Sequence, residues 1–127
     1  MANLAHITRL LLVEDEALIL LDVADTLQSA GIAEVVTAAS VPEALAALDH
    51  GRFDAAVTDL HLGRSGWSYD VARKLTAEGI PFVFMSGTAE VADGFRTVPL
   101  ITKPFSPDQL IAALLQVTAG RQTEAAQ

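Results

Sequence analysis

Two short apolar runs in this chain end abruptly in carboxylates, and that pattern constrains the fold more than any other feature. Arg9-Leu10-Leu11-Leu12-Val13 runs into Glu14-Asp15-Glu16, and residues 53–58 run into Asp59. Runs of this length, bounded by acids, read as buried strands. Helical patterns alternate with them. Residues 16–30 place Leu20, Ala24 and Leu27 at helical spacing and stop at Gly31. Residues 34–38 form a second short strand. Ser40 caps the next helix, with Pro42 in its first turn and Glu43 at capping-box spacing. A loop, residues 63–66, leads to a helix over 68–78 that is closed by Gly79. Residues 81–85 form a fourth strand ending at Ser86-Gly87. Residues 98–102 form a fifth, at a sheet edge because Pro99 lies inside it. Ser106-Pro107-Asp108 opens a last helix through Val117.

Residues 88–97 are weakly helical at best, since Gly94 and a shortage of apolar residues interrupt the pattern. The alternation is therefore β-α repeated five times with a degenerate fourth helix. Apolar strands with short connections imply an α/β fold, a parallel sheet covered on both faces. Ligands of such sheets bind beyond the carboxyl ends of the strands, where the winding reverses. Glu14, Asp15, Asp59, Ser86 and Lys103 all follow strands at that end.

With 127 residues, half of them apolar, the chain fits one globular domain, expected over residues 1–119, with a polar tail over 120–127. There is no cysteine, which removes disulfide, zinc–thiolate and thiol-nucleophile chemistry. No stretch reaches membrane-spanning length and no secretory leader is apparent, so a cytoplasmic location is expected. The net charge of −8 repels phosphate backbones and argues against nucleic-acid binding.

Carboxylates crowded at one sheet edge repel. At ~6 Å and an effective dielectric of ~20, each pair costs roughly 3 kcal/mol. A hard divalent cation offsets this, and Mg²⁺, with Mn²⁺ as a substitute, fits a few carboxylates and phosphate oxygens best. Asp59 is then a nucleophile that needs no activating base. It would attack phosphorus to give an acyl phosphate, with Lys103 supplying positive charge, Ser86 a hydroxyl donor and Gly87 room for the incoming group. Each residue alone has a bland reading. Asp59 could be a turn residue, Ser86-Gly87 a loop, Lys103 a surface lysine, and Glu16 a charge at a helix N-terminus. The argument lies in their co-occurrence at the proper strand ends. His6 and His50 lack partners at ligand spacing and read as solvent-facing. Trp67 and Tyr69 read as packing over their loop, with a binding surface as the minor alternative. Ile111 and Leu115 read as core, with a dimer face as the minor alternative. No glycine-rich phosphate cradle supports a P-loop or dinucleotide fold.

Leu12-Val13-Glu14-Asp15-Glu16, Val57-Thr58-Asp59-Leu60, Met85-Ser86-Gly87 and Lys103-Pro104-Phe105 together resemble the receiver domains of two-component response regulators, over residues 8–118. The resemblance implies a flavodoxin-like, doubly wound five-stranded sheet in the order 2-1-3-4-5. It makes Asp59 the phosphoacceptor. Asp15 becomes a direct Mg²⁺ ligand, Glu14 a ligand through water, and the backbone carbonyl of His61 a third protein ligand. Ser86 and Lys103 bind the phosphoryl group, and the Lys103–Pro104 peptide is cis. Leu100 stands three before Lys103, where many receivers carry a switch Tyr or Phe, and the loop after Asp59 lacks the frequent Pro. With the degenerate fourth helix and Pro81-Phe82-Val83-Phe84-Met85-Ser86-Gly87, this is similar to the mostly single-domain "FAT GUY" (Phe-Ala-Thr-Gly) receivers. Met85-Ser86 replaces that subgroup's Ala-Thr, and Thr88-Ala89 its hydrophobic-Tyr ending.

The function implied is a single-domain response regulator. A sensor histidine kinase or phosphotransfer protein would phosphorylate it, and a downstream protein would read it out, the chain being a monomer or weak dimer. Without the aromatic switch, activation is expected to shift residues 88–97. Two alternatives are weaker. A Mg²⁺-dependent phosphohydrolase with an aspartyl-phosphate intermediate generally needs a second carboxylate near the nucleophile, and His61 holds the position two after Asp59. A pseudo-receiver scaffold conflicts with the intact acidic and lysine set. The chain is thus expected to accept a phosphoryl group without turning over an external substrate.

Overall fold

The computed structural model describes residues 3–88, 91 and 94–120. Its strands are β1 (Arg9–Val13), β2 (Glu34–Ala38), β3 (Ala55–Asp59), β4 (Phe82–Ser86) and β5 (Leu100–Thr102). Its helices are α1 (Ala17–Ser29), α2 (Val41–His50), α3 (Tyr69–Ala77) and α4 (Pro107–Val117), with one 3-10 turn at Gly63–Ser65. The strands form one parallel sheet in the order β2-β1-β3-β4-β5. The winding reverses between β1 and β3, so the carboxyl ends of these two strands lie side by side.

Side chains on a strand alternate between faces, and the core divides accordingly. Leu10, Leu12, Val57, Val83 and Met85 pack with Val23 and Leu27 of α1 and Leu110 and Leu114 of α4. Leu11, Val13, Ala56, Phe82 and Phe84 pack on the other side with Leu48 of α2 and Val71 and Leu75 of α3. Burial on both faces explains why β1, β3 and β4 are apolar without alternation.

The helix starts follow their capping chemistry. The Ser40 hydroxyl accepts from the Glu43 N–H at 3.2 Å, and the Glu43 carboxylate reaches back to the Ala39 N–H at 3.3 Å. Ser106 and Gln109 form a full capping box at the start of α4. Such a cap contributes about 1 kcal/mol. Ile111 and Leu115 are half-buried against the core, as expected.

Two expectations change, the start of β5 and the setting of His6. β5 begins at Leu100, not at residue 98, because Pro99 has no N–H to donate; its carbonyl instead accepts from the Phe84 N–H at 2.9 Å. In the 88–97 segment, the described residues 88, 91 and 94–97 are not helical, while 89, 90, 92 and 93 lie outside the described residues, as does 121–127 of the expected tail. His6 does not face solvent freely. It is half-buried, with its Nε2 2.7 Å from the Thr118 hydroxyl, which itself donates to the Leu114 carbonyl. His50 is exposed, as expected.

Candidate functional site

The carboxyl ends of β1, β3, β4 and β5 deliver the site. Glu14 and Asp15 follow β1, Asp59 ends β3, Ser86 ends β4, and Lys103 follows β5. Glu14, Asp15 and Asp59 each bring a carboxylate oxygen within 4.8 Å of the others. Glu14 and Asp59 are buried and Asp15 is exposed. The Lys103 ammonium donates to Asp59 Oδ2 at 2.7 Å and to Glu14 Oε1 at 2.9 Å. The Asp59 Oδ1 accepts the His61 N–H at 3.3 Å, which sets the backbone of His61 against the Asp59 carboxylate. Glu16 takes the N-cap position of α1 with no side-chain capping bond.

Burial pushes the Glu14 carboxyl up to about 8, and the neighbouring Asp59 adds to the effect against the opposing pull of Lys103. Burial works to lower the Lys103 ammonium, but its hydrogen bonds to Asp59 and Glu14 prevail and raise it, so it stays charged. The site thus holds more negative charge than one lysine balances. Among the described residues, Glu14 Oε2 is buried with no hydrogen-bond partner. Such an atom is costly unless something positive meets it. Three converging oxygen donors with an unsatisfied buried oxygen fit a hard divalent cation such as Mg²⁺.

Ser86 is buried, and its hydroxyl accepts the Thr88 N–H at 3.0 Å. It lies on the β4 end adjoining Lys103, whose N–H donates to the Ser86 carbonyl at 2.8 Å. A Cβ on Gly87 would meet nothing within 4 Å among the described residues. The Lys103–Pro104 peptide is cis.

The loop after Asp59 is held by an aromatic stack that the sequence showed only in part. Trp67 meets the His61 ring edge-on at 5.1 Å between centroids and stacks on Tyr69 at 6.0 Å. Tyr69 in turn stacks on Phe95 at 5.5 Å and meets the edge of Phe84 at 6.3 Å. Tyr69 packs over the loop as expected, whereas Trp67 remains 55% exposed. The stack joins the site loop to the part of the 88–97 segment that contains Phe95. Periodicity carries no signal for such a contact, because it joins rings far apart in sequence.

The family model described as "Response regulator receiver domain" matches residues 10–115. A search of the curated proteins found no match. Among solved structures, SdrG from Sphingomonas melonis is 37% identical with a TM-score of 0.80, the match covering 90% of this chain and 98% of that one. A response regulator receiver protein from Sinorhizobium medicae is 32% identical with a TM-score of 0.81, covering 90% and 96%. The response regulator PhyR from Brucella abortus is 30% identical with a TM-score of 0.80; the match covers 93% of this chain but 50% of PhyR, so the chain spans about half the length of that relative. Among the described residues, no helix is long and apolar enough to cross a membrane. The matched model spans most of the chain, and strand order, acidic cluster and lysine agree with it, so the chain belongs to the response regulator receiver domain family.

Proposed function

We propose that this protein is a response regulator receiver of the cytoplasm that takes a phosphoryl group from a histidine kinase or phosphotransfer protein onto Asp59. The observation that carries the reading is the Lys103 ammonium, 2.7 Å from Asp59 and 2.9 Å from Glu14, beside the Asp15 carboxylate. A carboxylate set against one lysine and two further acids is arranged for anionic chemistry that recruits extra positive charge.

In this reading an Asp59 oxygen attacks the phosphorus of a phosphohistidine. The P–O bond forms as the P–N bond breaks, and the electron pair leaves with the imidazole nitrogen. Lys103 moves its hydrogen bonds to the phosphoryl oxygens as they gather charge, and Ser86 donates its hydroxyl to one of them. Asp15, Asp59 and the His61 backbone carbonyl, with Glu14 beside them, would hold Mg²⁺. A bound Mg²⁺ supplies positive charge against the phosphoryl oxygens. Ser86 is bonded to Thr88, so a pull on its hydroxyl passes into the segment ahead of Phe95. That segment, β5 and α4 form the proposed surface for a downstream protein. Incubation with a small phosphodonor and Mg²⁺ tests the function: intact-mass analysis should show one added phosphoryl group, and none would refute it.

The donor protein must cover the rim of the site, and α1 starts on that rim two residues after Asp15. Leu18 and Leu21 are 83% and 67% exposed there. Burying one leucine contributes about 2 kcal/mol. Leu18→Asp should therefore slow transfer from the cognate phosphohistidine protein by tenfold or more, an estimate from that same burial. The rate with the small phosphodonor should stay at the parent's value. Equal slowing with both donors would place Leu18 in the chemistry and not in docking.

A further inference from the structure

Gly63 opens the 3-10 turn after Asp59 with φ at +50°, in the left-handed region. A Cβ built there would stand 2.5 Å from Asp15 Oδ2 and 3.6 Å from its Cγ. The first distance is far inside van der Waals contact, so an added methyl and the present Asp15 carboxylate exclude each other.

One of the two would have to move, and the loop backbone is pinned. The Leu62 N–H donates to the Gly66 carbonyl at 2.8 Å, the Gly66 N–H to the Gly63 carbonyl at 3.1 Å, and the Ser65 N–H to the Leu62 carbonyl at 2.9 Å. Leu60 and Leu62 are buried, and the Ser68 N–H ties the far end of the loop to the Leu60 carbonyl at 3.0 Å. Asp15 is an exposed side chain with a rotatable carboxylate. The clash would be relieved on the Asp15 side, by displacing the carboxylate that converges with Glu14 and Asp59.

We infer that Gly63 is a positioning residue for the cation site: its missing side chain is the space that lets Asp15 converge on Glu14 and Asp59. This rests on the proposed Mg²⁺ reading and adds a residue that touches neither the metal nor the phosphoryl group. A residue that orients a ligand is typically worth about 10- to 100-fold in metal affinity. Gly66 supplies the internal control. It lies in the same loop with φ at +80°, and a Cβ there would meet nothing within 4 Å. Alanine at either position strains the backbone, but only at 63 does it displace Asp15.

The experiment is an equilibrium Mg²⁺ titration followed by Trp67 emission, with no phosphodonor present, on the parent, Gly63→Ala, Gly66→Ala and Asp15→Asn. Thermal midpoints in chelator report on folding of the same samples. The expected result is a Mg²⁺ affinity at least tenfold weaker in Gly63→Ala and Asp15→Asn, and within about twofold of the parent in Gly66→Ala, with every variant showing a cooperative thermal transition in chelator. If Asp15→Asn loses affinity but Gly63→Ala matches Gly66→Ala, the positioning role is overturned and the metal reading stands. If Asp15→Asn binds Mg²⁺ like the parent, the metal reading falls and the positioning role falls with it.

Discussion

Asp59→Asn should abolish phosphoryl incorporation altogether. The amide is isosteric and keeps the β3 end in place, but its oxygen is a poor nucleophile and carries no charge to draw Lys103. Among the described residues, neither carboxylate that converges on Asp59 is placed to substitute. Glu14 is buried, bonded through Oε1 to Lys103, and held protonated near neutral pH. Asp15 is exposed but lacks the lysine contact that Asp59 has at 2.7 Å. Intact-mass analysis after incubation with a phosphodonor and Mg²⁺ should show the added phosphoryl group in the parent and nothing in the variant. A residual peak of equal size would move the acceptor to another residue. The variant should also stay folded, because it removes charge from a crowded acidic centre.

In chelator, the stability of the protein should fall as pH rises from 5 to 8. The folded Glu14 keeps its proton up to about pH 8, against an ordinary value of 4.5. Between these values the folded state binds more protons than the unfolded state, so raising the pH favours unfolding. The contribution is fully present below about 4.5 and gone above about 8. A shift of this size corresponds to on the order of 5 kcal/mol across the window, at ~1.4 kcal/mol per pH unit. Asp59 and Asp15 face Glu14 with like charge, and Lys103 opposes them. Urea midpoints measured at pH 5 and pH 8 check the slope. Glu14→Gln cannot titrate and should flatten it, leaving the variant more stable than the parent at pH 8. A slope that survives in Glu14→Gln would belong to another group.

The site was legible in the sequence because parallel strands end together. Glu14, Asp15, Asp59, Ser86 and Lys103 each follow an apolar run, and the sheet brings those ends to one rim without any need to know the loops. What loops and rings do was not legible. That Gly63 adopts a positive φ against Asp15 depends on a turn path that spacing does not encode. The Trp67–Tyr69–Phe95 stack and the His6–Thr118 pair join residues far apart in the chain. Ala17-Leu18-Ile19-Leu20-Leu21 is apolar on every side, so periodicity could not show which leucines α1 leaves in solvent. Pro99 showed that β5 lies at an edge, yet its carbonyl bond to Phe84, and so the start of the strand at Leu100, needed the register.

Alternate residues on each strand go to opposite layers, and the site inherits that division. Glu14 continues the row of Leu10 and Leu12, Asp59 that of Ala55 and Val57, and Lys103 that of Ile101; these rows belong to the layer of α1 and α4. Ser86 continues the row of Phe82 and Phe84, in the layer of α2, α3, Tyr69 and Phe95. A force on Lys103 is therefore borne by one half of the molecule, and a force on the Ser86 hydroxyl by the other. The sheet lies between them, so truncations in opposite layers should add in free energy while neighbours within a layer do not. A single covalent event at Asp59 would then send two messages, one to each face of the sheet, and partners that bind different faces would read different halves of the same signal.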